Sequence, residues 1–400
     1  MDKVRVAVTG LGAVCAAGQD VAGLKAALHT PSRVFGPSRR HALGFEVAVG
    51  EVRPEWFAQH DHPELDSPTG RLCLTAAREC MAHACSRGAS APDGLAVGTS
   101  TGGQSVNEEM VFALIDGRPT PSPFGFRGRG CMASPSRLVA RDLDVRGPVS
   151  TVSTACTSSA NAIALGASWI REGRCKRVLA GGGDALCHTT ISTFRILELT
   201  GPCMCTPFGP DRPGLTLGEG AGFLLLERLD DVLAASREPL AELLGFGMSS
   251  DAHHMTAPPA DGAGAFLAMS RALDDARLSP ANVHHVNAHG TGTRLNDAAE
   301  ANAIARLLGA NVPVSSCKGL VGHTLGGAGA IEAVASVLSV MSRRAFENAG
   351  AATAGDDCPI ALVGPGGAAL PERPVVLSNS FAFGGNNCAL VLGPAPEARS

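Results

Sequence analysis

The feature that most constrains this chain is an internal repeat whose period is nearly half its length. Residues 149–170 read as an apolar strand, a turn of small residues around Cys156, and a helix rich in Ala and Gly. Residues 314–340 read the same way, with His323 in the turn and an Ala-, Gly- and Val-rich helix behind it. Each unit runs on to an apolar strand ending in small residues, at 178–183 and 376–380. Both helices are apolar almost all round, which predicts that they are central and buried. The usual repeat arrays have far shorter periods, so this one implies two similar halves. The pattern divides them near Glu242–Gly247, into residues 1–245 and 246–400.

Between the repeats, short apolar runs alternate with Ala-rich stretches at helical spacing, which predicts an α/β fold. Expected strands include 4–8, 94–98, 149–153, 177–180, 223–227, 284–288 and 375–379; expected helices include 72–86, 160–171, 264–276, 298–308 and 328–342. Hydrophobic residues make up 45% of the chain, enough for a large core, and 49 glycines among its 400 residues imply close packing. With 33 basic against 37 acidic side chains the net charge is −4. Nucleic-acid binding is not expected, because it needs clustered cations to displace counterions from phosphates. Aromatics at 4%, with no tyrosine, leave little for base stacking. No apolar window of the length of a membrane span is expected either.

Thirteen cysteines are an odd count with no C-x-x-C pair. That pattern reads as core filler in a reducing cytoplasm rather than a disulfide scaffold. Gly10-Leu11-Gly12 invites a dinucleotide-binding reading, but Cys15 stands where the third glycine is needed. The plainer expectation is a strand over 4–8 followed by a tight glycine turn.

Three residues stand where an α/β fold presents chemistry. Cys156 lies between a strand and a helix, where the positive end of the helix dipole would lower a thiol pKa. By placement alone it reads equally as a core cysteine. His289 and His323 sit in glycine-flanked loops, Asn287–Thr293 and Lys318–Gly327, the first directly after a strand. His285 and His289 are four apart, but on a strand, and no second Cys/His pair supports a metal site.

Around these residues the chain resembles the β-ketoacyl-[acyl-carrier-protein] synthases, the elongating type II condensing enzymes of the thiolase superfamily. The resemblance rests on Thr154-Ala155-Cys156-Thr157-Ser158, Gly218-Glu219-Gly220-Ala221-Gly222, residues 245–256, Asn287–Thr293 with Asn296-Asp297, Lys318 with Gly322-His323, and Asn379-Ser380-Phe381-Ala382-Phe383-Gly384-Gly385. It implies a thiolase fold of duplicated βαβ halves in five layers, α-β-α-β-α. It also implies decarboxylative condensation of a Cys156-bound acyl chain with malonyl-carrier, in fatty acid or polyketide elongation.

In that reading His289 and His323 stabilise the enolate and Lys318 supports them electrostatically. Backbone amides of Cys156 and Phe383 form the oxyanion hole, and Thr291 and Thr293 bind the phosphopantetheine arm. Phe383 is the gate, Phe208 and Thr101 contribute to substrate binding (Thr101 to acyl preference), and Glu219, Asp297 and Glu300 give structural support. Arg71, Arg127 and Arg129 are expected to meet an acidic acyl carrier protein. No metal and no cofactor is implied, since phosphopantetheine arrives on the carrier. The partner is a second copy or a related ketosynthase-like subunit. Ala382 replaces a common glycine in the gate loop, where it would restrict conformations of positive φ. Two other readings remain: a non-decarboxylating thiolase-like acyltransferase with a second active cysteine, such as Cys388, and a non-catalytic chain-length subunit.

Overall fold

The structure is a computed structural model and describes residues 3–119 and 128–396. Its main sheet has eleven strands. In chain order they are β1 (Val6–Cys15), β2 (Gly94–Gly98), β3 (Val149–Val152), β4 (Arg177–Asp184), β5 (Gly220–Arg228), β6 (Ala241–Ser250), β7 (His285–Asn287), β8 (Pro313–Ser315), β9 (Ala361–Leu362), β10 (Val376–Ala382) and β11 (Asn386–Gly393). Their spatial order is β9-β8-β7-β10-β11-β6-β1-β5-β4-β2-β3.

The order is duplicated. From β1 outward the pairings run antiparallel to β5, antiparallel to β4, parallel to β2 and parallel to β3. From β6 outward they run antiparallel to β11, antiparallel to β10, parallel to β7 and parallel to β8. The two sets join where β1 pairs with β6, from Val6↔Leu243 to Val8↔Ala241. Residues 245 and 246 lie inside β6, so the chain does not pause between the sets.

Five helices complete the layers: α1 (Pro68–Ser86), α2 (Ser158–Arg171), α3 (Ala263–Ala276), α4 (Arg294–Leu308) and α5 (Ala328–Ser342). Side-chain alternation along each strand assigns the faces. Val178, Ala180, Leu224 and Leu226, with Cys388, Leu390 and Leu392 from the other set, join α2 and α5 in one central core. Leu179, Phe223 and Leu225 point the other way, onto α1. Ala389 and Val391 point onto α3 and α4. The sequence is α1, sheet, α2 with α5, sheet, α3 with α4: the five layers of a thiolase fold.

Helix α5 is buried from Ala328 to Val340, as its all-round apolarity predicts. With the turn before it, Leu325–Ser342 is long and apolar enough, by length and composition alone, to cross a membrane. It is the central core helix, 89% buried inside the fold.

The expected turn after residue 8 is not formed. Strand β1 continues to Cys15 with only an irregularity between Val8 and Gly10. Its glycines serve packing: a Cβ on Gly12 would lie 1.9 Å from the Ala76 carbonyl oxygen, on the helix that covers it.

Candidate active site

The chain leaves β3 and turns sharply into α2. Ala155 adopts a left-handed φ of +51°, unusual for a residue with a Cβ. The Thr157 and Ser158 hydroxyls close the elbow by donating to the carbonyls of Thr154 and Ala155. Cys156 is thereby fixed just ahead of the helix, 8% exposed. Placement at a helix start predicts a lowered thiol pKa, yet here it is pushed up to about 12. Burial is the largest cause; the Asp184 and Glu332 carboxylates add to it, and only Lys318 pulls strongly down. The resting group is a thiol.

A base stands beside it. His323 Nε2 lies 3.1 Å from Cys156 Sγ. The His323 backbone is held on both sides, its N–H donating to Thr216 O at 2.7 Å and its carbonyl accepting from Gly218 N at 3.0 Å. Next to Gly218, the buried Glu219 carboxylate accepts from Val52 N and Leu186 N and pairs with Arg40. Glu219 thus anchors the segment that carries His323; burial raises its pKa to about 7.

His289 meets His323 edge to face, with ring centroids 5.3 Å apart. Lys318 Nζ lies 3.1 Å from His289 Nδ1 and also donates to the His289 carbonyl and to Glu332. An ammonium can only donate, so Nδ1 is the acceptor and the ring proton sits on Nε2. Burial first, then the Lys318 charge, holds both imidazoles well below their ordinary range. Both are neutral at pH 7.

The loop after His289 is wrapped around two buried carboxylates. Glu300 accepts from the amides of His289 and Gly290, each at 2.8 Å, and from Asn379. Asp297 accepts from Thr291 N, Gly292 N and Phe208 N.

A cavity of about 190 Å³ brings together Cys156, His289, His323, Thr291, Thr293 and Phe383. The Phe383 ring stacks on Phe194, centroids 5.7 Å apart. The loop behind it is tied to Asp251, which donates its N–H to Gly385 O and accepts from Asn387 Nδ2 at 2.7 Å. The positive φ values fall on Gly384 and Gly385. Ala382 ends β10 and needs none, so it imposes no restriction on the turn.

Two residues expected to contact substrate lie outside the lining of this cavity. Thr101 is outside the lining of this cavity; its amide and hydroxyl both donate to Asp184 Oδ1. Buried Asp184 also gathers Thr99 Oγ1, Ser100 N and Oγ, and Gly326 N, clamping the loop after β2 to the turn after His323. Phe208 is wholly buried and outside the cavity lining as well, with φ +59° and its amide on Asp297. Its place is beneath the His289 loop.

Of the three expected carrier-facing arginines, Arg71 forms a two-pronged pair with Asp66, and Arg129 Nε donates to the Asp66 carbonyl. Both line a separate cleft with Arg40. Arg127 lies outside the described residues. Among the described residues no group of His, Cys, Asp and Glu could hold a metal ion; His285 instead bonds Ser315 Oγ at 2.8 Å.

Sequence reading passed over Glu332, Asp184, Asp251 and Phe194. Glu332 carried a usable signal: it is the only charge in α5, and a charge in an apolar helix needs a partner.

The buried groups set the pH dependence of stability. His285, at about 3, His289 and His323 have depressed folded pKa values. Their neutral forms favour the fold above pH 6.5, and that contribution is lost as pH falls. Glu219 and Glu300, both raised to about 7, act oppositely: between their ordinary 4.5 and 7, the fold keeps protons that unfolded carboxyls release. Stability is expected to change gently from pH 7 to 5. Below about pH 4.5 the carboxyl contributions no longer offset those of the imidazoles, and stability should fall. Urea midpoints against pH read this, and a flat profile down to pH 4 contradicts it.

A duplicated five-layer fold, with a thiol facing two uncharged imidazoles at its centre, is that of the thiolase-fold condensing enzymes. Residues 3–232 match the N-terminal domain of β-ketoacyl synthases, and residues 240–350 match their C-terminal domain. The chain belongs to the β-ketoacyl synthase family. It is 34% identical to the 3-oxoacyl-[acyl-carrier-protein] synthase 2 of Synechocystis, over 98% of both chains. The ishigamide ketosynthase/chain length factor structure superposes with a TM-score of 0.90 at 30% identity, covering 99% of this chain and 100% of that one. The ketosynthase ApeO in complex with its chain length factor ApeC, from Xenorhabdus doucetiae, gives 0.86 at 34% identity, covering 98% of each.

Proposed function

We propose that this chain catalyses decarboxylative Claisen condensation, joining an acyl group held on Cys156 to malonyl-carrier in fatty acid or polyketide elongation. The observation that carries the reading is the 3.1 Å approach of His323 Nε2 to Cys156 Sγ, with His289 against the same ring. His323 takes the thiol proton as sulfur attacks the carrier thioester, and the carrier thiol leaves with a proton. Malonyl-carrier then loses CO₂. The enolate oxygen meets the N–H that His289 presents from Nε2, and that of His323 once its ring is protonated there. The enolate carbon attacks the acyl carbonyl, whose oxygen is held by the amides of Cys156 and Phe383. Collapse releases 3-oxoacyl-carrier, and the expelled Cys156 sulfur takes back as a thiol the proton that His323 has drawn from solvent after the carrier thiol left.

The reading needs no metal and no organic cofactor, because the phosphopantetheine arm arrives on the acyl carrier protein. It places the protein in the cytoplasm, in keeping with thirteen unbridged cysteines. A dimer, with a second copy or with a related subunit, is supported by two surfaces. Helix Gln104–Ile115 leaves Val111, Leu114 and Ile115 exposed, and β3 ends the sheet with Val149 exposed. A thiolase-like transfer through a second cysteine is disfavoured: Cys388 is fully buried in β11, outside the lining of the cavity.

Purified chain, alone and co-expressed with a neighbouring ketosynthase-like subunit, is supplied with acyl- and malonyl-carrier, and the carrier is weighed by mass spectrometry. The expected product is 3-oxoacyl-carrier with one CO₂ released per bond formed. Carbon–carbon bond formation without loss of CO₂, or no product in either preparation, sinks the reading.

A further inference from the structure

The cavity that holds Cys156 and His323 at its buried end carries a single guanidinium or ammonium group among its lining residues, and that group is Arg294. The residues between follow one path outward. His289 is 3% exposed and Thr291 6%, Thr293 is half-buried, and Arg294 is exposed. Arg294 stands five positions on from His289, so their backbones lie within roughly 18 Å.

Among the described residues Arg294 has no hydrogen-bond or ion-pair partner. The acidic residues of the same lining are already engaged: Glu300 by the His289 and Gly290 amides, and Asp251 by Asn387. A second donor lines the same cavity. His254 Nδ1 accepts the amides of Thr256 and Ala257, which puts the ring proton on Nε2. The same largely apolar cavity that holds the thiol therefore also carries a planar, permanently charged donor with no protein partner among the described residues.

We infer that Arg294 binds the phosphate of the phosphopantetheine arm, fixing how deep the arm's thioester reaches. The assignment rests on the condensing reading above. Arg294 is a positioning residue: it holds the far end of the arm and touches no reacting atom.

The test compares malonyl-phosphopantetheine with malonyl-pantetheine, which differ only in the phosphate, as decarboxylation substrates for wild type, Arg294→Ala and Arg294→Lys. For Arg294→Ala, KM is expected to rise about tenfold with the phosphorylated thioester, from loss of a charged hydrogen bond. With the unphosphorylated one it should stay within about twofold, and kcat should be unchanged with both. Arg294→Lys should recover part of the loss, and added salt should shrink the wild-type advantage. An equal effect on both thioesters, or none on either, overturns the assignment. So does a defect seen only with malonyl-carrier, which would place Arg294 on the carrier's protein surface. A wild type that decarboxylates neither thioester overturns the condensing reading and this assignment with it.

Discussion

Cys156→Ala is expected to lose condensation by at least about 10³-fold while still decarboxylating malonyl-carrier, and His289→Ala to lose decarboxylation, and condensation with it, while still forming the acyl-enzyme. The two half-reactions use different groups of one cavity. Acyl transfer needs the sulfur and the base 3.1 Å from it. Decarboxylation needs imidazole N–H donors at the developing enolate oxygen, and His289 supplies one because Lys318 occupies its other nitrogen. Acyl-enzyme formation, read by mass spectrometry with labelled acyl-carrier, should vanish in Cys156→Ala and persist in His289→Ala.

His323→Ala separates base from donor. Without it, attack depends on free thiolate, which is scarce because the thiol is raised to about 12. Its acylation rate should then climb about tenfold per pH unit across the accessible alkaline range, where the wild-type rate levels off. A Cys156→Ala variant that still condenses at the wild-type rate would show that the thiol is not the nucleophile. A His323→Ala variant with an unshifted acylation profile would remove His323 as its base.

What could be read from the sequence follows a physical line. The duplication and the central helices were legible because burial writes itself into periodicity: α5 is apolar on every face and is buried on every face. The loops bearing Cys156, His289 and His323 were legible because strand ends and small residues mark where a backbone can approach a ligand. The directions of individual side chains were not. Thr101 points at Asp184, 83 residues away in sequence, and nothing near Thr101 announces that partner. Gly10 and Gly12 look like a turn, yet they lie flat in a strand because α1 crosses over them. The Cys156 pKa is a contest between a helix start, which is local, and burial by distant elements, which is not. Local chemistry pointed down and the tertiary structure pushed up.

Lys318 and Glu332 allow stability and catalysis to be pulled apart. Both are buried, 1% exposed, and face each other in the central core. Lys318→Met leaves the Glu332 carboxylate in a dry interior with only the weak Ser380 contact at 3.4 Å. Removing one partner of a buried ion pair costs about 3–5 kcal/mol, whereas replacing both with apolar groups of similar volume is often neutral. The single variant is therefore expected to lose stability by that amount, and Lys318→Met/Glu332→Leu to regain most of it, as read from urea midpoints. Activity should not return with it. In the double variant His289 Nδ1 no longer faces a fixed donor, so either ring nitrogen can carry the proton and the enolate loses an oriented N–H. Decarboxylation is expected to remain at least about 10²-fold down. The Lys318 charge that depresses both imidazoles would also be gone, so the acid limb of the pH–rate profile should move upward. A double variant restored in both stability and decarboxylation would reduce Lys318 to a partner for Glu332. Recovery of stability alone means that the pair's cost to the fold is borne for the orientation of His289.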